Sequence, residues 1–474
     1  MSDHRPGTSD RPLRVAVVGS GPSGFYAAEH LQSHPDVVVQ VDMFDRLPTP
    51  FGLVRGGVAP DHQKIKSVTR AYDRIASHPE FRFYGNVGVG RDVAREDLLA
   101  YYHAIIYGVG ARADRRMGIP REHLPGSHSA TDFVGWYNAH PDFRGLSFDL
   151  SGQVAVVVGN GNVAVDVVRV LARTPEDLAE TDIADHALEE LSVSAVREIH
   201  MLGRRGPAEA AFTNKELREL DALPDTDLVV DPAALDLAPV SREEVEATSD
   251  RNRDRNLDVL REIAARPHGG HRTTITLHFL VSPVEILGRE HVEAVRLVEN
   301  ELYRGDNGAI RPRPTETIRE IETGLIFRAI GYHGVPLPGL PFDVRGGVVP
   351  NEEGRVVDPN DGQPIAGEYV VGWIKRGPQG IIGTNKPDAR ETVEHLFEDL
   401  AAGRLVKEDV PARGVLERLI GQRRRDFVSY GDWQLIDEIE QERGQSAGGR
   451  PRRKFSGVEE MLFALGERKG ADDG

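Results

Sequence analysis

The feature that most constrains this fold is a pair of glycine fingerprints, one near the N-terminus and one a third of the way along the chain. The first begins with a valine-rich run, Leu13 to Val18, that leads into glycines at positions 19, 21 and 24. A helical stretch from Phe25 to His34 follows, then a second strand (VVVQVDMF) that ends at Asp45. This order of strand, GxGxxG turn, helix, strand and acid is typical of a dinucleotide-binding unit.

A loop of this kind binds a pyrophosphate for physical reasons. Glycine lets the backbone approach the ligand, and the N-terminus of the following helix supplies free N–H groups and a partial positive charge. Asp45 would accept hydrogen bonds from an adenosine ribose. The alternative for Asp45 is a surface residue at a strand end, but the complete unit favours a cofactor site.

The second fingerprint differs from the first in the charge that follows it. The strand Val154 to Val158 runs into the sequence GNGNVA at residues 159–164, and a helix (VDVVRVLAR) comes next. A later strand (VREIHML) ends at Gly203, and two arginines, Arg204 and Arg205, stand where the acid stood before. Guanidinium groups pair with a 2′-phosphate that a carboxylate would repel, so the second site is predicted to bind NADP. The alternative is a solvated pair of surface arginines.

The two dinucleotide sites have opposite preferences for a 2′-phosphate on the ribose. This difference suggests one cofactor that stays bound and one that exchanges. FAD in the first site and NADPH in the second is the economical assignment, although the glycine spacing alone does not distinguish FAD from NAD.

Composition narrows the chemistry. The 474 residues include no cysteine, which removes thiolate ligands for iron–sulfur clusters and any dithiol redox centre. Electron transfer must then use a bound organic cofactor, and we predict no metal site.

The net charge of −17 argues against broad nucleic-acid binding. No apolar run reaches the roughly 20 residues of a membrane span, and no secretory signal is visible, so we expect a cytoplasmic protein without membrane insertion.

Four motifs, in the same order, resemble those of the adrenodoxin-reductase-like ferredoxin-NADP reductases. They are residues 47–64 (LPTPFGLVRGGVAPDHQK), 159–166 (GNGNVAVD), 203–216 (GRRGPAEAAFTNKE) and 372–385 (GWIKRGPQGIIGTN).

The resemblance implies a set of FAD contacts. They are Gly19, Ser20, Gly21, Pro22 and Ser23 at the pyrophosphate, Asp45 at the ribose, and Leu53, Val87, Trp373, Gly380, Ile381 and Ile382 around the flavin. A helix after Pro378 would direct its N-terminus towards the flavin. Two positions depart from the family. Asp45 stands where glutamate is typical, and Phe51 where relatives have tryptophan.

The resemblance also implies NADP contacts. They are Arg115, Asn160, Gly161, Asn162, Val163, Arg204, Arg205 and Glu216. His62 and Asp166 would lie near the nicotinamide and flavin, where they would steer a proton or hold the pyridine ring. The alternative for His62 is a satisfied structural histidine.

The resemblance implies an α/β fold with two Rossmann-like dinucleotide-binding domains, the FAD domain being discontinuous with the NADP domain inserted in it. Residues 1–12 would form a flexible tail, 13–110 and 329–474 the FAD domain, and 111–328 the NADP domain. Residues 105–110 (IIYGVG) and 327–332 (FRAIGY) are predicted to be crossover strands.

The implied activity is that of an FAD-dependent ferredoxin–NADP⁺ reductase. Hydride would pass from NADPH to flavin N5, and single electrons would then pass to a ferredoxin or a similar acidic iron–sulfur protein. An NADPH diaphorase or quinone reductase, a flavin monooxygenase and a non-enzymatic nucleotide-binding regulator remain open. Missing cysteines exclude a disulfide reductase.

An acidic partner requires a basic docking surface on a chain that is acidic overall. The candidates are the arginines at 423–425 and the run 450–454 (RPRRK), for which a flexible solvated tail is slightly favoured. We expect a monomer.

Overall fold

The structure, a computed structural model, describes residues 6–405 and 409–472. Its strands are β1 Leu13–Val18, β2 Val39–Phe44, β3 Phe81–Tyr84, β4 Ala104–Tyr107, β5 Ala113–Asp114, β6 Ser127–Ser129, β7 Val154–Val158, β8 Glu198–Leu202, β9 Thr226–Val230, β10 Thr273–His278, β11 Val281–Leu287, β12 Ala294–Arg304, β13 Ile310–Glu322, β14 Leu325–Arg328, β15 Tyr332–His333, β16 Asn351–Glu352, β17 Arg355–Val357 and β18 Pro364–Val370.

Seventeen α-helices lie among and after these strands within the described residues. They are α1 Pro22–Gln32, α2 Leu53–Gly56, α3 Gln63–Lys66, α4 Thr69–Ala76, α5 Arg95–Tyr101, α6 Ala130–Tyr137, α7 Asn162–Ala172, α8 Pro175–Ala179, α9 Asp185–Ser192, α10 Asn214–Asp221, α11 Pro239–Ala247, α12 Arg251–Ala264, α13 Trp373–Arg376, α14 Asn385–Ala401, α15 Arg413–Arg423, α16 Tyr430–Ser446 and α17 Val458–Asp472. Across the described ranges, no helix combines the length and the apolar character that crossing a bilayer requires.

The first domain is built on a seven-stranded sheet with the order β16-β17-β18-β4-β1-β2-β3. Strand β1 lies between β4 and β2 and pairs in parallel with both, so its side chains are buried on both faces. The sheet takes strands from two distant parts of the chain, because β18 pairs in parallel with β4.

The second domain is built on a six-stranded parallel sheet with the order β6-β14-β7-β8-β10-β9. All its strands come from residues 127–328, between β4 and β18 of the first sheet. The predicted fold class, with one discontinuous domain and another inserted in it, is therefore confirmed. The two connections between the domains lie side by side, since β5 pairs antiparallel with β15. The boundaries at 110/111 and 328/329 stay predictions.

Local boundaries differ from those that the sequence predicts. Helix α1 begins at Pro22 rather than Phe25, because Gly21 caps it and proline is favoured in a first turn. The two predicted crossover strands are shorter and lie earlier, as β4 and β14. The glycines that follow them belong to loops.

Two segments predicted to be loose are packed. Residues 1–5 of the predicted tail lie outside the described residues, but Gly7 is buried and its carbonyl accepts a hydrogen bond from the N–H of Val38. The basic run 450–454 is not a solvated tail, because Arg450 and Lys454 are each only 5% exposed. Their partners include Thr181 and Asn138 of the second domain and Arg55 of the first, all hundreds of residues away, so local composition gives no information about them.

A glycine pair tests how tightly α1 packs on its loop. A Cβ at Gly24 would lie 2.1 Å from the carbonyl oxygen of Gly19, whereas a Cβ at Gly466 in α17 would meet nothing within 4 Å. We expect Gly24→Ala to lower the free energy of unfolding by about 1–3 kcal/mol. Gly466→Ala should leave it equal or raise it by up to about 1 kcal/mol. Urea denaturation measures both, and equal stabilities would contradict the packing described.

Candidate functional site

The first nucleotide site is the loop between β1 and α1. Gly19 has a φ of +105°, and a Cβ there would lie 2.5 Å from the carbonyl oxygen of Gly108. Gly21 is different, because a Cβ there would meet nothing within 4 Å. The loop is thus tight against the sheet at Gly19 and open at Gly21. No side chain caps the N-terminus of α1 at Gly21, so its N–H groups are available to an anion.

Asp45, at the end of β2, is hydrogen-bonded to this loop. Its Oδ2 accepts from the backbone N–H of Ser20 at 3.1 Å and from the Ser20 hydroxyl at 2.5 Å, and its Oδ1 accepts from the N–H of Leu47 at 2.9 Å. A carboxylate offers about four acceptor positions, so one remains for a ribose hydroxyl. Asp45 thus lies beside the loop, and its predicted contact with a ribose stays a prediction.

Two further segments reach the same loop. A Cβ at Gly52 would lie 3.0 Å from the Cα of Gly21, and one at Gly372 would lie 2.6 Å from the Oγ of Ser23. Leu53 and Trp373 directly follow these two glycines. Both therefore lie near the loop, although they come from distant parts of the chain. Val87 is fully buried, and its N–H donates to the carbonyl of Asp45, so it lies behind the acid.

Several apolar side chains at this site are exposed or only half-buried. Ile381 is 65% exposed and Leu53 is 37% exposed, while Trp373 is half-buried. The indole N–H of Trp373 donates to the carbonyl of Gln379 at 3.1 Å, and its ring centroid lies 5.2 Å from that of Tyr332. Gly380 and Ile382 belong to the same turn, which ends in a 3₁₀ helix and α14. Exposed apolar groups beside a phosphate-binding loop suit an aromatic ring system.

The second nucleotide site repeats the first geometry. Gly159 has a φ of +128°, and a Cβ there would lie 2.2 Å from the carbonyl oxygen of Ala329, whereas at Gly161 the nearest atom is 4.0 Å away. The Oδ1 of Asn162 accepts from the N–H of Thr213 at 2.9 Å. A Cβ at Gly203 would lie 2.6 Å from the Nδ2 of Asn160. These contacts bring the loop, with Val163 at the start of α7, beside the arginine pair.

Arg204 and Arg205 follow β8 as predicted. Arg204 is exposed and Arg205 half-buried, and within the described residues neither guanidinium has an ion-pair partner. Burial and repulsion from Arg204 lower the pKa of Arg205. The pair therefore forms a positively charged site that an anion would stabilise. Arg115 lies at the crossover between the domains, where its Nε donates to the carbonyl of Tyr332 at 3.2 Å.

A group of charged residues joins the two domains, and we name it the interdomain charge cluster. The first domain contributes two members just before α3, and the second domain contributes the rest from α7 and α10. The members are Asp61, His62, Asp166, Arg169, Arg173, Glu216 and Glu219.

Arg169 is the centre of this cluster and has no exposed side-chain surface. Its guanidinium donates to Oδ2 of Asp61 at 2.7 Å, to Oδ1 of Asp166 at 2.7 Å and to Oε2 of Glu216 at 3.3 Å. His62, only 8% exposed, lies with Nε2 2.8 Å from Oε2 of Glu219 and Nδ1 3.9 Å from Asp166. The structure thus brings His62, Asp166 and Glu216 together in one cluster, and their roles at a nicotinamide stay predictions.

Burial and charge act in opposite directions on these acids. Burial raises the pKa of Asp166 to about 6, although the Arg169 and His62 charges oppose it. Burial also acts on Asp61, but Arg169 and Arg173 hold the pKa of that carboxyl well below its usual range. For Glu219, hydrogen bonds and charge from Lys215 and His62 outweigh burial and lower its pKa. Of these three acids, Asp166 is therefore the one whose pKa lies closest to neutral pH.

His62, Glu216 and Glu219 also satisfy the spacing of a metal site, since their ligand atoms lie within 4.8 Å of one another. Two cations already face these acids. Arg169 Nη1 lies 3.3 Å from Glu216, and Lys215 Nζ lies 3.1 Å from Glu219. Their positive charge disfavours a divalent ion.

Sequence analysis missed Asp61, Arg169, Arg173 and Glu219. One indication was present, because Arg169 lies among valines and leucine on α7 (VDVVRVLA), three residues after Asp166. A charge on such a helix needs a buried partner. The partner Asp61 is 108 residues away, a distance at which sequence patterns carry no pairing information.

Comparison with known proteins gives consistent matches. Residues 17–82 match the model of an NAD(P)-binding Rossmann-like domain. The chain is 48% identical to NADPH-ferredoxin reductase FprA of Mycobacterium leprae, covering 94% of this chain and 97% of the relative. It is 39% identical to the mitochondrial NADPH:adrenodoxin oxidoreductase of Arabidopsis thaliana, covering 98% of each. The solved structure of Mycobacterium tuberculosis FprA in complex with NADPH matches with a TM-score of 0.90 at 46% identity, over 96% of this chain and 100% of that one.

The raised pKa of Asp166 predicts a pH effect on stability. Because its pKa rises from 3.8 to about 6 on folding, the folded state holds the proton more tightly, and this residue's contribution falls as pH rises from 4 to 6. Asp166→Asn removes that fall. The stability of the variant relative to wild type should improve by up to about 3 kcal/mol between pH 4 and 7. Urea denaturation across this range measures it, and parallel curves would contradict the assignment.

Proposed function

The chain belongs to the family of NADPH-ferredoxin reductases, and from this we propose that it oxidises NADPH and reduces a ferredoxin-type iron–sulfur protein through bound FAD. The observation that carries the proposal is the contrast between the two strand ends. Asp45 follows β2 in the first site, and the unpaired Arg204 and Arg205 follow β8 in the second. One chain thus provides a site that suits an unphosphorylated ribose and another that suits a 2′-phosphate.

FAD fits the first site. The open space at Gly21, the free N–H groups of α1 and the remaining acceptor position of Asp45 suit its diphosphate and ribose. Leu53, Trp373, Gly380, Ile381 and Ile382 would hold the ring system, with Val87 supporting Asp45 from behind. When bound, FAD supplies the step between a two-electron donor and a one-electron acceptor.

NADPH would occupy the second site. Asn160, Gly161, Asn162 and Val163 would hold its diphosphate at the start of α7, and Arg204 and Arg205 would pair with its 2′-phosphate. Arg115, at the crossover, and Glu216, in the interdomain charge cluster, would contact the rest of the molecule.

His62 and Asp166 would act on the nicotinamide. A pKa of about 6 leaves Asp166 largely ionised at neutral pH, so its carboxylate would stabilise the positive ring that forms as NADPH is oxidised. His62 is held by Glu219 through Nε2 and by the segment before α3. These residues orient the ring and exclude water more than they perform acid–base chemistry.

The two predicted basic clusters differ in how far they remain accessible to a partner. In the run 450–454, Arg450 and Lys454 are buried and the three residues between them are partly exposed. Arg423 is paired with Asp97 and Arg424 with Asp426, so among the described residues Arg425 alone of that cluster has no ion pair. An acidic partner, a monomeric state and a cytoplasmic location stay predictions. A diaphorase acting on small acceptors is the main alternative, because reduced flavin passes electrons to many molecules.

The test compares NADPH with NADH as donors for cytochrome c reduction, with and without ferredoxin from the same cell. We expect strong NADPH preference and dependence on ferredoxin.

Arg205→Gln should lower the preference for NADPH by about tenfold or more, since a charge-assisted hydrogen bond contributes roughly 1.5–3 kcal/mol. Arg289→Gln, at an exposed position of the same domain, is the control. Equal use of NADH by the wild type would contradict the proposal, and a rate independent of ferredoxin would favour the diaphorase.

A further inference from the structure

The sequence predicts that the basic run 450–454 is a docking surface or a flexible tail, but in the structure it packs against the rest of the protein. Residues 450–455, which we name the strap, connect α16 to α17. Arg450 and Lys454 are each 5% exposed and Phe455 is 8% exposed. Burying cationic side chains costs free energy unless acids or carbonyls compensate for the lost water. The partners of the strap therefore show what it holds.

On one side the strap binds the second domain. Arg450 donates through Nε to the carbonyl of Thr181 at 3.0 Å and through Nη1 to Oδ1 of Asp185 at 2.8 Å, and it also donates to the carbonyl of Ile183. Arg453 donates to the other oxygen of Asp185 at 2.5 Å. Two arginines thus hold the turn between α8 and α9.

On the other side the strap binds the first domain. The N–H of Phe455 donates to Oε1 of Glu440 at 2.9 Å, and Glu440 is fully buried. The same carboxylate accepts two hydrogen bonds from Arg55, at 2.6 and 2.8 Å. The strap is therefore fixed to α16 and to the segment that includes α2.

A second charged group lies where the strap meets both domains. The ammonium of Lys454 lies 3.3 Å from Oδ2 of Asp182 and 3.2 Å from Oδ1 of Asn138, and that of Lys66 lies 2.6 Å from Oδ1 of Asp182. Burial lowers the pKa of both lysines, and their charges hold the pKa of Asp182 well below its usual range. One carboxylate of the second domain thus holds two cations, one from the strap and one from α3.

Lys66 connects this group to the proposed reaction site. Its backbone N–H donates to the carbonyl of His62 at 3.1 Å, so the two residues are one helical turn apart on α3. We propose that the strap is a positioning element that holds α3 against the second domain and so fixes His62 and Asp61 relative to Asp166 and Arg169. Lys66, Asp182 and Lys454 are then positioning residues, and their role rests on the proposed function.

The test combines kinetics with hydrogen exchange on the FAD-bound protein. Lys454→Met should lower the rate of flavin reduction at saturating NADPH roughly tenfold to a hundredfold, because misplaced reactants lose that much rate. The NADPH dissociation constant should change less than about threefold, since Arg204 and Arg205 lie elsewhere. Amide exchange should quicken in residues 62–66 and 181–185 and stay unchanged in β1.

Two more variants keep the test decisive. Lys469→Gln breaks an ion pair with Asp432 in the same C-terminal region and should alter neither the rate nor the exchange. Arg453→Gln, at a side chain 42% exposed, loses only the Asp185 contact. If Lys454→Met does not fold, Arg453→Gln tests the positioning role instead. We expect it to lower the rate of flavin reduction by about threefold or more.

The outcomes separate the two proposals. Unchanged exchange in residues 62–66, or an unchanged rate, in a folded strap variant would overturn the positioning role. Failure of NADPH to reduce the wild-type flavin would overturn the proposed function, and the exchange result would still decide whether the strap holds α3.

Discussion

The structure depends most on the burial of one guanidinium, that of Arg169. It lies on α7 of the second domain with no exposed side-chain surface, and its strongest partner from the first domain is Asp61, at 2.7 Å. A buried charge that loses its partner is strongly destabilising, so the second domain has its full stability only when docked against the first. The docking that satisfies Arg169 also brings His62 to Asp166 and Glu219. The same ion pairs therefore hold the domains together and assemble the candidate site.

The two nucleotide sites show how one scaffold serves two ligands. Gly19 and Gly159 both adopt positive φ angles against a neighbouring carbonyl, and both loops are open at the middle glycine. The difference lies at the end of the second strand, where Asp45 is replaced by Arg204 and Arg205. In the proposed function, the shared fold would place the dinucleotide, and the charge of a few side chains would select which dinucleotide it is. Because the chain has no cysteine, electrons must leave the flavin for an acceptor outside it.

The sequence predicts the parts of this arrangement that are local. Each fingerprint lies within a continuous strand, turn and helix, so its glycines and the charge after the next strand are recognisable without a structure. The charge cluster is not local, since Asp61 and Arg169 are 108 residues apart. The prediction for the strap is wrong for the same reason, because its partners are distant in the chain. Its composition is that of a solvated tail, and only the distant Asp182 and Asp185 make its burial favourable. His62 and Asp166 were proposed from a family resemblance, and their common partner Arg169 was not foreseen.

Ion pairing between Asp61 and Arg169 holds the two nucleotide domains together. A double-mutant cycle with Asp61→Asn and Arg169→Met, measured as free energies of unfolding at pH 7, tests it directly. We expect a coupling free energy of about 2–3 kcal/mol, the upper part of the range for residues in contact. Additive single effects, with a coupling below about 0.5 kcal/mol, would contradict it.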